Sequence, residues 1–184
     1  MSATVNNQTI PVAGNYQIDQ VRSWIDFATT DIFGLRKVRG TFAVSEGEIA
    51  VKDPVGDSTV YAVADPASIK TDSSIRDSQV RSALFLNVKR HPRMVFRSTS
   101  LTEVDGTWRL SGVLNVKGVD APLELTVTDI SSTGDELRVT ATGTVDRFNH
   151  GVRAMPGMAG RRLQLTVTVA AKASPFADQQ PISL

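Results

Sequence analysis

"LQLTVTVAA" (163–171) decides the fold class: Leu163, Leu165, Val167, Val169 and Ala171 share one face of an extended chain, while Gln164, Thr166 and Thr168 share the other. A period of two marks a strand buried on one side, because a helix would spread the same positions around its axis. The pattern recurs. "WRLSGVLNV" (108–116) aligns Trp108, Leu110, Gly112, Leu114 and Val116, and "ELRVTATGTV" (136–145) aligns Leu137, Val139, Ala141, Gly143 and Val145. "PLELTV" (122–127) gives Leu123, Leu125 and Val127; "RMVFRS" (93–98) gives Met94 and Phe96. Nearer the start, "VRSWIDFA" (21–28) aligns Val21, Ile25 and Phe27, "VRGTFAV" (38–44) aligns Val38, Gly40, Phe42 and Val44, and "EIAV" (48–51) aligns Ile49 and Val51. "STVYAVAD" (58–65) is apolar on both faces and leaves its register open.

Turn residues separate these runs. Asp105-Gly106, "SEGE" (45–48) and "STGD" (132–135) read as short connections of hairpin type. Roughly eight strands follow, joined mostly to their sequence neighbours, which predicts an all-β antiparallel sheet closed into a barrel or folded into a sandwich. Threonines on the outer faces, such as Thr126 with Thr128 and Thr140 with Thr142, fit a sheet wetted on one side.

One segment departs from the rule. In "SIRDSQVRSALFLNVKRHP" (74–92), Ser74 reads as a candidate helix cap, Asp77 adds negative charge to the first turn and Pro92 blocks continuation. The reading is a short helix over residues 75–84, with Ile75, Val80, Leu84 and the following Phe85 against the sheet. Residues 1–14 and 174–184 lack pattern and read as loose segments flanking a single domain, 15–173.

Composition excludes several function classes. With 20 Lys and Arg against 19 Asp and Glu, the net charge of +1 gives no general attraction to nucleic acid. The absence of cysteine removes disulfides, thiolate metal sites and thiol nucleophiles. The opening "MSATVNNQTIPVAGNY" has neither a basic n-region nor an apolar run, so the expectation is a cytoplasmic protein without a membrane anchor.

Catalytic patterns are likewise missing. His91 and His150 fall in no zinc-binding spacing, no GxSxG elbow occurs, and "GMAG" (157–160) lacks the ending of a phosphate loop. The basic clusters at 36–39, 89–93 and 153–162 lack the interleaved aromatics of a single-strand nucleic-acid groove, and read as solvated loops or a barrel mouth. The interior is more informative. An eight-stranded barrel is either just filled by side chains or holds one small ligand. Here large inward groups, Phe27, Phe42, Phe96 and Trp108, mix with Gly40, Gly112, Ala141 and Gly143, which leave space. Met155 and Met158 add adaptable thioethers in the Gly/Pro-rich "RAMPGMAGRR" (153–162).

In this order the motifs resemble those of the YceI-like proteins, lipocalin-like β-barrels associated with binding polyisoprenoids, including isoprenoid quinones. The likeness covers residues 16–173. "YQIDQVRSWIDF" looks like the family's opening strand and "VRGTF" its second. The distinctive block is matched by Thr71, Arg76-Asp77, Phe85, Pro92, Phe96, Ser98 and Thr99; "GVLNVKGVDAPLELTV" and "VDRFNHGV", with Asp146, Arg147 and Gly151, follow in their places. Two positions depart: Arg22 precedes Ser23 where the family has His, and His150 stands where it has an aromatic residue.

The resemblance implies a non-enzymatic binder, carrier or store of an apolar isoprenoid lipid or quinone, with no catalytic residue, metal or cofactor and no nucleic-acid partner. The pocket lining is then Ile25, Phe27, Phe42, Val44, Phe85, Phe96, Trp108, Leu114, Leu125, Met155 and Met158, and the mouth or cap is Arg22, Arg76, Asp77, Arg147 and His150. Two rival readings stand beside it: an enzyme working through His150, Arg147 and Asp146, and a packed barrel whose edge strands form a homodimer.

Overall fold

The alternating segments pair each with the next, and the last returns to the first. A computed structural model describes residues 11–175 together with Thr4, Val5, Gln8 and Thr9. In chain order the elements are β1 (Thr4–Val5), β2 (Gln8–Thr9), β3 (Gly14–Ile18), β4 (Trp24–Asp31), β5 (Arg36–Val51), β6 (Thr59–Thr71), α1 (Ser74–Arg81), β7 (Met94–Val104), β8 (Thr107–Val116), β9 (Val119–Thr133), β10 (Glu136–Asp146) and β11 (Arg162–Ala173). Strands β1 and β2 pair antiparallel with each other. The rest form one sheet in the order β10-β9-β8-β7-β6-β5-β3-β11-β4, with β10 also pairing β11 and β5 also pairing β4. Because β3 and β4 both lie between β5 and β11, they are two halves of one stave, and the sheet closes as an eight-stranded antiparallel barrel. Of the expected loose termini, residues 1–3, 6, 7, 10 and 176–184 lie outside the described residues.

Ser23 bridges the broken stave. Its hydroxyl donates to the Ala170 carbonyl at 3.2 Å and accepts from the Ala170 amide at 3.0 Å, supplying the ladder partners that the gap between β3 and β4 removes. The chain bulges outward just before it, and Val21, expected on the inner face, is 92% exposed.

Two further expectations are corrected. "SEGE" is no hairpin: β5 is one strand of 16 residues, and its register against β6 shifts between Val44 and Glu46. The bulge moves the inward face from the parity of Phe42 and Val44 to that of Ile49 and Val51. Gly40 and Gly112 do not open space. A Cβ at Gly40 would lie 2.6 Å from Phe27 Cζ, and one at Gly112 would lie 2.5 Å from Phe96 Cζ, so each glycine accepts a ring laid across it. Each strand of the main sheet has a neighbour on both sides, so the barrel is closed without a free edge strand.

Helix α1 runs over Ser74–Arg81 and is capped by Ser73, whose side chain accepts from the Arg76 amide. It is fastened by polar groups rather than by an apolar stripe. Buried Asp77 accepts from the Thr71 amide at 3.0 Å and from the Thr71 hydroxyl at 2.7 Å, while Arg81 donates to the carbonyls of Ala67 and Ile69, both at 2.8 Å. The expected apolar set therefore divides: Phe85 is buried, whereas Ile75 is 82% exposed and Leu84 is exposed as well. The chain turns after Ser82, which carries Phe85 under the helix and Leu84 away from it.

Candidate functional site

Inside the barrel lies a cavity of about 570 Å³. It runs from Val51 and Val55 near one end to Thr29, Asp31 and Arg76 near the other, and its walls are the inner faces of the strands. Ile25, Phe27, Phe42, Val44, Phe85 and Phe96 face it, as do Trp108, Leu114, Leu125, Met155 and Met158. The Phe27 and Phe42 rings meet at a centroid distance of 5.4 Å, tilted by 36°. Ile75 and Met158 line the cavity and are also largely exposed, so an opening lies between α1 and the 151–161 loop. Gln79 spans that gap, donating to Met155 Sδ at 3.3 Å.

Polar groups gather at this end. Arg76 donates to Asp72 at 2.6 Å and to the Thr71 hydroxyl at 3.3 Å, and stands 3.7 Å from Asp31 Oδ2. Asp31 Oδ1 is buried and has no hydrogen-bond partner among the described residues. Sequence reasoning missed Asp31, yet its signal was present: it continues the inward parity of Ile25, Phe27 and Thr29 along β4.

Arg147 forms the floor of the 151–161 loop. Its guanidinium donates to four carbonyls, of Gly160 at 2.8 Å, Val152 at 2.6 Å, Ala154 at 2.8 Å and Ala159 at 2.9 Å. It also lies over the rings of Phe85 and Phe148, at 5.6 Å and 5.0 Å. Burial pushes its pKa below the ordinary arginine value. His150 is buried too, and its Nδ1 lies 3.0 Å from the Val119 carbonyl; since a carbonyl only accepts, Nδ1 carries the proton. Asp146 accepts from the Phe148 amide and from Arg161, and the Arg161 hydrogen bond holds its carboxyl below the usual range. All three members of the proposed enzymatic group thus have structural partners.

The mouth residues do not all meet. Arg76, Arg147 and His150 border the cavity at one end, and Asp77 sits behind them under α1. Arg22 lies at the opposite end of the barrel, donating to Asp19 at 2.9 Å and to Glu136 at 2.7 Å. It follows β3, whose direction places residues 19–23 beside the start of β10, far from the cap. Among the described residues, no three His, Asp or Glu side chains are grouped to hold a metal ion.

Residues 16–171 match the YceI-like domain. A UPF0312 protein of Pectobacterium atrosepticum is 30% identical over 135 residues, covering 71% of this chain and 67% of that protein. Among solved structures, BcnA of Burkholderia cenocepacia superposes with a TM-score of 0.73 at 15% identity, covering 84% of this chain and 99% of the other. A polyisoprenoid binding domain from Saccharophagus degradans superposes with a TM-score of 0.65 at 14% identity, covering 89% and 100%. At these identities the structural likenesses establish the shared fold.

Proposed function

The chain belongs to the YceI-like family, and from that premise we propose that its barrel holds an apolar isoprenoid lipid, a polyisoprenoid or an isoprenoid quinone, and carries or stores it without altering it. The observation that carries this reading is the lumen itself: continuous, walled by aliphatic and phenyl groups, and polar only toward its ends. Its volume of about 570 Å³ falls inside the range of small-molecule sites, roughly 300–1,000 Å³.

An isoprene unit has five carbons, so at about 0.8 kcal/mol per buried methylene each enclosed unit contributes at most about 4 kcal/mol. Association costs roughly 4–15 kcal/mol in lost freedom, which about one to four enclosed units offset. Affinity therefore comes from the walls. The polar head is left to the mouth, where Arg76 and Gln79 supply donors and Asp31 Oδ1 an acceptor. A quinone carbonyl or a prenyl hydroxyl both find a partner there.

A carrier reading also fits the polar inventory better than the enzymatic one, because His150, Arg147 and Asp146 are each held by the fold. Native mass spectrometry of gently purified protein, followed by loading with a polyprenol and with an isoprenoid quinone, tests the reading. A one-to-one adduct with either lipid is expected. Folded protein that takes up neither overturns it.

A further inference from the structure

The net charge of +1 hides a strong asymmetry. At the opening end, residues 31–39, 70–92, 117–120 and 146–162 contain thirteen Lys and Arg against five Asp and Glu. At the far end, residues 19–23, 52–58, 103–107, 133–136 and 172–173 contain seven acidic residues against three basic ones.

The basic end is also where large apolar side chains face solvent. Phe33 is 78% exposed and Leu35 85%, at the tip of the β4–β5 hairpin. Ile32 and Met158 are exposed beside them, and the Ile32 amide donates to the Met158 carbonyl at 3.1 Å, which joins the tip to the 151–161 loop. The tip backbone is held in the left-handed region, with φ of 48° at Ile32 and 55° at Phe33. That is a costly conformation for a β-branched residue. Four apolar side chains presented to water, on segments that also carry the exposed Arg36, Lys37, Arg39 and Arg153, make an amphipathic rim beside the opening bordered by Ile75 and Met158.

We propose that this rim docks on an anionic lipid bilayer, with Phe33 and Leu35 entering the acyl boundary and the surrounding basic side chains meeting lipid phosphates. Docking turns the cavity opening toward the membrane, so a lipid exchanges without crossing bulk water. Among the described residues no helix is long and apolar enough to cross a membrane. The docking rests on the rim alone, and the exchange of a lipid rests on the function proposed above for the lumen.

Vesicle flotation tests it, comparing pure phosphatidylcholine with vesicles containing about one-third phosphatidylglycerol, at about 0.1 M and about 0.5 M salt, between which the screening length shortens roughly twofold. Wild-type protein is expected on the anionic vesicles at low salt, at least about tenfold less on phosphatidylcholine, and less at high salt. The double substitution Phe33→Ser with Leu35→Ser lowers partitioning at least about tenfold. The same variant still takes up a lipid delivered in detergent, because neither residue lines the cavity. Arg36→Glu with Lys37→Glu serves as a second variant if the first fails to fold. Wild-type protein that ignores anionic vesicles overturns the proposal, as does equal binding by the folded variants. Concentration-dependent self-association that the first variant abolishes, without vesicle binding, assigns the rim to a second copy instead and overturns it too.

Discussion

Replacing Arg147 by methionine keeps most of the apolar stem and removes the four donors that hold the 151–161 loop. A hydrogen bond from a charged donor is worth about 1.5–3 kcal/mol net, but simple addition over four overstates the loss. Only the bond to the Val152 carbonyl is wholly buried; the other three acceptors regain water if the loop lifts. Counting the buried bond in full and the others at a fraction gives about 3–5 kcal/mol, the range of a broken buried charge network. For a chain of 184 residues this is a fall in Tm of roughly 6–20 °C. Lysine keeps the charge but offers three donors from one point, so Arg147→Lys recovers only part of the loss. Thermal melts read the size, and amide exchange at residues 152–160 reads the place. A methionine variant within about 1 kcal/mol of wild type, with unchanged exchange in the loop, refutes the reasoning.

Other outcomes follow from the same geometry. Asp146 has its carboxyl pKa lowered by Arg161, so its contribution is complete above the unfolded value of about 3.9 and is lost as pH falls through the folded value. Stability measured from about pH 5 downward should fall more steeply in wild type than in Asp146→Asn, and parallel curves exclude the effect. Gly112→Ala drives a methyl into the Phe96 ring and should cost about 1–3 kcal/mol in denaturant melts; no change means the strands separate freely there. Ala62→Phe with Ala141→Phe fills the lumen from two facing walls and should abolish lipid uptake while far-UV dichroism stays that of the wild type. Retained uptake places the ligand elsewhere.

Much of the barrel was legible because a strand wetted on one face writes its register directly into the sequence, as Leu163 to Val169 and Leu137 to Val145 show. What misled was local chemistry with two meanings. A glycine between charged residues at 45–48 has the composition of a turn, but Gly47 sits under Ile18 and beside the Tyr61 carbonyl, where strands approach closely in a bulge. Ile75 has the spacing of a core residue, yet α1 is anchored through Asp77 and Arg81, which frees its apolar side chain for the rim. Placing Arg22 with the mouth failed because sequence order does not tell which end of a barrel a loop occupies; only the direction of β3 does. Asp31 was readable from parity and was passed over because a carboxylate near a hairpin resembles ordinary surface.

The position of β11 bears on how the molecule comes into being. It is the strand that joins β10 to the split stave, so the sheet stays an open ribbon until Ala173 has left the ribosome. Throughout synthesis of the preceding staves the greasy inner surface has no opposing wall, and slow translation of the last segment prolongs that exposure. Closure is then a late, long-range event between the earliest and latest strands, and chains stalled short of it are the ones destined to aggregate.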